Sequence, residues 1–118
     1  MPPYAACLKT LEECALIIGV INRYYGHPFD DWGPFPRYKG LAPTHAELRH
    51  ALDTGKRILI IYVHDDTWKF YEVWRKNRDA FAPPAGLDVR TLEMFHELKT
   101  RSPASWLNRF SDVSELLA

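Results

Sequence analysis

Apolar residues fall along this chain in two rhythms. Cys14 to Ile21 reads Cys-Ala-Leu-Ile-Ile-Gly-Val-Ile, and Arg57 to Val63 carries a second apolar run, Ile-Leu-Ile-Ile-Tyr-Val, after its arginine. Short runs rich in β-branched residues predict strands buried on both faces, as in a parallel sheet. Elsewhere the spacing is helical. Leu8 and Leu11 share a side of Ala5 to Glu13, and Leu48, Ala51 and Leu52 form a stripe after Thr44. Phe70, Val73, Trp74 and Phe81 recur between about Thr67 and Phe81, and Val89, Leu92, Phe95 and Leu98 between Asp88 and about Lys99. These four segments are predicted helices.

Punctuation residues set the boundaries. Thr44-His45-Ala46-Glu47 fits a capping box, with Thr44 at the N-cap and Glu47 three positions on, and Gly55 supplies a left-handed stop. Asp66 and Asp88 are the expected N-caps of the third and fourth helices. Ala82-Pro83-Pro84-Ala85-Gly86 breaks the chain between them. Ser105 to Phe110 reads as a short third strand, and Ser111 to Leu117 as final helical turns. Asn22 to Ala42 is a long loop with prolines, glycines and six aromatics, Tyr24, Tyr25, Phe29, Trp32, Phe35 and Tyr38. Loops of that length are usually functional or mobile. Strand, loop, helix and strand in succession predict a β-α-β unit and an α/β fold with a parallel sheet.

Composition narrows the function classes. The 118 residues make one domain, 1–118, with 47% apolar and 25% charged residues, the balance of a globular protein. Fifteen basic residues offset fifteen acidic ones, and a zero net charge argues against a nucleic-acid partner. No apolar run approaches the ~20 residues that span a bilayer, so no membrane association is expected. Met1-Pro2-Pro3-Tyr4 lacks the features of a signal peptide, so the expected compartment is the cytoplasm. Cys7 and Cys14 do not form a C-x-x-C pair and read as reduced thiols. Neither a G-x-G-x-x-G motif nor a P-loop occurs, and no cofactor is implied. His45 and His50 are five positions apart, on different helix faces, and do not predict a metal site.

The candidate chemistry gathers where strands end, because ligands of open α/β sheets bind outside the carboxyl ends of strands. Arg23, Tyr24, Tyr25 and Gly26 follow the first strand, and His64 and Asp65 follow the second. A tyrosine there can stack on a base or nicotinamide, Arg23 can meet a phosphate, and His64 and Asp65 can bind a cation or a ribose hydroxyl. Each also has a structural role open to it: loop packing, a turn dihedral at Gly26, or capping of the next helix. Thr44 and Glu47 open the second helix, whose N-terminus suits an anion. For Glu47 the alternatives are a capping-box residue and a catalytic carboxylate.

Two blocks carry a family resemblance. Cys7 through Ile21 with Asn22-Arg23-Tyr24-Tyr25-Gly26 resembles a strand-and-R-Y-G block. Thr44-His45-Ala46-Glu47-Leu48 through Ala51 with Gly55-Lys56-Arg57 resembles the T-x-x-E-x-x-x-A and G-K block that follows it. Together they resemble a bacterial domain of unknown function often fused to signalling NTPases. That domain is similar to Toll/interleukin-receptor (TIR) domains and nucleoside deoxyribosyltransferases. The resemblance implies a flavodoxin-like three-layer sandwich with a short, mostly parallel sheet. It also implies a nucleotide or NAD-like ligand. In the resembling enzymes a glutamate in this helix contacts the ribose, and Glu47 matches it. The family's usual opening strand and helix are not seen here, and Ala15 stands where an Asp is frequent.

Two function classes follow. One is a signalling or interaction module that binds a partner or nucleotide without turnover. The other is an N-glycosidase acting on NAD or a nucleoside through Glu47. An apolar strand edge pairs readily with another chain, so a homodimer or a protein partner is expected.

Overall fold

The computed structural model describes every residue except 56, 57, 113 and 115–118. Four α-helices are present among them: α1 (Pro3–Leu11), α2 (Pro43–Thr54), α3 (Asp65–Lys76) and α4 (Val89–Arg101). The strands are β1 (Leu16–Ile21), β2 (Ile58–His64) and β3 (Leu107–Phe110), forming one sheet in the order β1-β2-β3. The sheet is parallel, and the whole is a small α/β fold of flavodoxin-like type. Between β2 and β3, Ile61 stands beside Leu107 and His64 beside Phe110. The Ile58 amide donates to the Ala15 carbonyl at 3.1 Å, which in a parallel pair sets Leu16 level with Ile58.

The chain groups into two compact units. The first comprises Met1–Gly19 and Gly26–Ile60, and the second Val20–Tyr25 and Ile61–Ala118. In the first unit, Ala5 and Leu8 of α1 pack with Trp32, Phe35, Tyr38 and Ala46. The loop expected at 22–42 therefore has structure of its own. Phe29 and Leu41 form an antiparallel bridge, and Pro36–Tyr38 is a 3-10 turn. Its aromatics do the work of a core because a short helix pair has too few large apolar residues to close one. The Trp32 indole N–H donates to the Phe29 carbonyl at 3.0 Å, which satisfies the polar edge of a fully buried ring. In the second unit, Tyr71 and Trp74 of α3 and Leu92, Phe95 and Leu98 of α4 are buried, and the Tyr71 and Phe95 rings lie 4.7 Å apart.

Three expectations need correction. First, the strands are not buried on both faces. Leu59, Ile61 and Val63 of β2 are buried, while Leu16, Ile18 and Val20 of β1 and Ile58 of β2 are 41–61% exposed. Gly19 and Ile21 of β1 are buried, so one side of the strand is covered while the other lies in solvent. Second, α2 has no capping box. Its N-cap is Ala42, Pro43 holds the first helical position, and no side chain caps it. Proline presets the helical φ and needs no partner for an N–H, so the helix starts earlier than the Thr44 signal implies. Third, α3 starts at Asp65 rather than after Asp66. His64 is its N-cap, and its Nδ1 accepts from the Asp66 amide at 3.0 Å. That helix ends at Lys76 because Asn77 is extended (φ −155°, ψ 80°).

Other boundaries stand close to expectation. Asp88 caps α4, its carboxylate accepting from the Arg90 amide at 2.9 Å. Gly55 ends α2 in the left-handed region (φ 68°). The final turns expected at Ser111 to Leu117 fall mostly outside the described residues.

Candidate functional site

Glu47 sits one and a half turns into α2, past the positions a capping residue occupies. Helical phase turns it toward α1 and the start of β1. There it lines an apolar cavity of about 350 Å³ with Cys7, Thr10 and Leu11 of α1, Cys14, and Leu16 and Ile17 of β1. All seven belong to the first unit. Among the described residues Glu47 has neither an ion pair nor a hydrogen bond. Burial raises its pKa above the ordinary carboxylate value, and no neighbouring charge contributes. Desolvation of this kind disfavours the ionised form. Glu47 thus offers a carboxyl inclined to hold its proton and donate a hydrogen bond into an apolar recess. Cys7 and Cys14 add two free, exposed thiols. Among the described residues the lining carries no positive charge.

The aromatic loop is not among the described lining of this cavity; Phe29, Trp32, Phe35 and Tyr38 pack in or against the core of the first unit. Thr44, expected at the cap, is the second residue of α2 and caps nothing. Gly26 lies in a turn at φ 94°, and a Cβ built there would stand 3.5 Å from Ala42 Cβ, so its duty is a backbone dihedral.

The remaining candidates belong to the second unit. Arg23, His64 and Asp65 gather around Asp66, where β2 meets α3. Arg23 pairs with Asp66 at 3.4 Å, His64 Nδ1 is 3.9 Å from the same carboxylate, and Asp65 pairs with Arg109 at 2.9 Å. The Arg23 carbonyl accepts from the Asp88 amide and from the Thr91 hydroxyl, both at 3.3 Å. These contacts tie the turn after β1 to the start of α4. Tyr25 is buried, with the Arg90 guanidinium 4.3 Å over its ring. Tyr24 is exposed and lines a separate depression of about 500 Å³ with Pro83, Gly86, Leu87, Asp88 and Val89. Of the expected stacking pair, therefore, one ring packs inside and the other faces a recess.

One polar cluster was not legible in the sequence. His50 is 1% exposed, yet its Nε2 lies 2.7 Å from Glu12 Oε1 and its Nδ1 2.8 Å from the Tyr38 hydroxyl. Tyr38 donates to Asp53 at 3.0 Å, and Arg37 stands 3.2 Å from His50 Nδ1. Burial is the leading cause of the raised Tyr38 pKa. The cluster joins the end of α1, the 3-10 turn and α2. His50 and Asp53 are visible as a helical pair, but Glu12 and Tyr38 are distant in sequence and carry no motif.

Among the described residues, no group of three His, Cys, Asp or Glu side chains could hold a metal ion. No helix among them is long and apolar enough to cross a membrane. No curated protein and no solved structure matches the chain. The match to a family is nonetheless nearly complete: the model described as Domain of unknown function (DUF4062) covers residues 1–117, and the chain belongs to that family.

Proposed function

We propose that this chain is a protein-interaction module of the α/β class, and that its working surface is the exposed side of β1 and the start of β2 in the first unit. One observation carries the reading. Leu16, Ile18 and Ile58 of the first unit stand 50%, 61% and 57% exposed, with Leu16 level with Ile58 on the neighbouring strand. Contiguous exposed apolar side chains mark interaction sites far more often than scattered ones do. The resemblance to signalling domains leads to the same class.

A second reading, N-glycosidase, draws on the freedom of Glu47. Its carboxyl does not cap α2, and among the described residues it pairs with no cation, so chemistry remains open to it. Against turnover, stabilising an oxocarbenium-like centre needs the ionised carboxylate, and burial disfavours that form. Among the described residues the cavity also has no group to seat a pyrophosphate.

Incubation of purified protein with NAD or a nucleoside separates the two. The interaction reading expects no nicotinamide or free base above the buffer rate, with wild type and Glu47→Gln alike. Release that Glu47→Gln abolishes would overturn it in favour of the glycosidase.

A further inference from the structure

Going beyond the interaction reading, we propose that the Glu47 cavity is a binding site for a small organic ammonium ion, a free primary amine on an apolar body, with the Glu47 carboxylate accepting from its N–H groups. The cavity lies wholly within the first unit. Its volume of about 350 Å³ falls within the roughly 300–1,000 Å³ typical of small-molecule sites, which pair apolar walls with a few placed polar groups. Leu11, Leu16 and Ile17 supply the apolar wall, and Glu47 is the one carboxyl in the described lining.

Two independent features select a cation. The first is Glu47 itself. Burial alone raises its pKa, and no charge among the described residues holds its carboxylate ionised. A desolvated carboxylate without a partner is costly, and an ammonium ion beside it offsets that cost. The second is the end of α1. Thr10 and Leu11 of the lining are the last residues but one and the last of that helix, and the helix C-terminus carries partial negative charge that favours a cation. Lys9 stands in the same turn but is not among the described lining. An anionic ligand would meet like charge from both features.

The surroundings hold little else that titrates. α1 and the turn after it present the Cys7 and Cys14 thiols, and β1 presents apolar side chains. On α2, His45 is buried and stands 3.3 Å from the Arg49 guanidinium. Leu16 and Ile17 open β1, so the cavity does not lie beyond the carboxyl ends of the strands, where a nucleotide is expected.

The two thiols report occupancy, since both are exposed and both line the cavity. The test follows their modification in the full chain by a soluble thiol reagent, read peptide by peptide, with hexylammonium chloride as the probe. Near neutral pH the probe should slow both reactions, whereas hexan-1-ol, which has the stem without the charge, and ammonium chloride, which has the charge without the stem, should leave them nearly unchanged. Glu47 caps nothing, so Glu47→Gln keeps the fold, and it should weaken the apparent affinity by at least about tenfold through loss of a charge-assisted bond. Binding favours ionised Glu47 and releases any proton it holds, so calorimetric affinity should rise as pH climbs from the ordinary value of 4.5 through the folded pKa. A lysine side chain carries the same head, and Nα-acetyl-lysine amide is the control for that source; it should protect less than hexylammonium. Equal protection by the lysine amide overturns the assignment to a free amine. Equal protection by hexan-1-ol, protection undiminished in Glu47→Gln, affinity that falls as pH rises, or no protection at all overturns the site.

Discussion

Adding one methyl group at Gly19 tests how closely β1 and α2 approach. A Cβ built on Gly19 would lie 2.4 Å from Leu48 Cδ2, 3.0 Å from Cδ1 and 3.2 Å from Cγ. Carbon atoms settle at about 3.5–4.0 Å, so Leu48 must retreat by more than 1 Å or leave its rotamer. Leu48 is 2% exposed, which leaves it little room to yield. Gly19 is not among the glycines at positive φ, so its backbone suits any residue and the effect is steric. Overpacking of this kind costs about 1–3 kcal/mol. Relief of glycine's backbone entropy offsets roughly 0.5–1 kcal/mol of it. Gly19→Ala should therefore lower stability by about 0–2.5 kcal/mol, and its sign in isolation is not the decisive quantity. The decisive quantity is the coupling with Leu48. Leu48→Ala alone should cost about 2–5 kcal/mol by opening a cavity. In the double variant the new methyl no longer clashes and partly fills that space. The double should then be more stable than the sum of the singles predicts, by about 1–3 kcal/mol. Equilibrium urea unfolding of the four proteins measures this directly through the midpoints, provided the slopes agree. Strict additivity of the two singles would refute the close approach.

Three more outcomes follow from the site geometry. His50→Ala removes a buried ring and its bonds to Glu12 and Tyr38, while the Tyr38 hydroxyl keeps Asp53, and should destabilise by about 1–3 kcal/mol, with Glu12→Gln adding little once His50 is gone; a neutral urea midpoint would show that the cluster is not formed. Glu47 has a raised folded pKa, so the folded state holds its proton more tightly and stability is lost as pH rises from the ordinary value of 4.5 through the folded one. Glu47→Gln should accordingly be more stable than wild type at neutral pH and lose that advantage below 4.5, whereas a pH-independent offset between the two denaturation midpoints would contradict the desolvation. Cys7 and Cys14 are both exposed, and both should react with a thiol reagent without denaturant; reaction only after unfolding would contradict their placement.

What could be read from the sequence follows the physics of each signal. The helical stripes and the Asp88 cap are local, and α1, α2 and α4 lie close to where periodicity puts them. The apolar runs predicted strands correctly, but not how many faces are covered. Leu16-Ile17-Ile18 has the same composition whether helices lie on one side or both. Glu47 was found by its place in the helix, and its environment was not, because the capping signal of Thr44 lost to Pro43. His64 displaced Asp66 as a cap through an imidazole nitrogen, a role rarer than that of aspartate and so masked by the stronger local candidate. The His50 cluster needed Glu12 brought across 38 residues, and no local pattern encodes such a meeting.

The bridge between Phe29 and Leu41 bears on how this chain can change in length. The Phe29 amide donates to the Leu41 carbonyl at 3.1 Å, and the Gly40 amide donates to the Phe29 carbonyl at 2.8 Å. Between these anchors Trp32, Phe35 and Tyr38 each fill a fixed place inside. One inserted residue would turn a ring outward or break a bond that closes the loop. Insertions ordinarily collect in long proline-rich connections, since loops tolerate them cheaply. Here that tolerance is withdrawn from the longest connection. It passes to the stretch from Ala82 to Gly86, where most side chains lie in solvent and no comparable ring is anchored. A tag inserted at Ala85 would fall among exposed side chains of the second unit rather than between the ring anchors of the first.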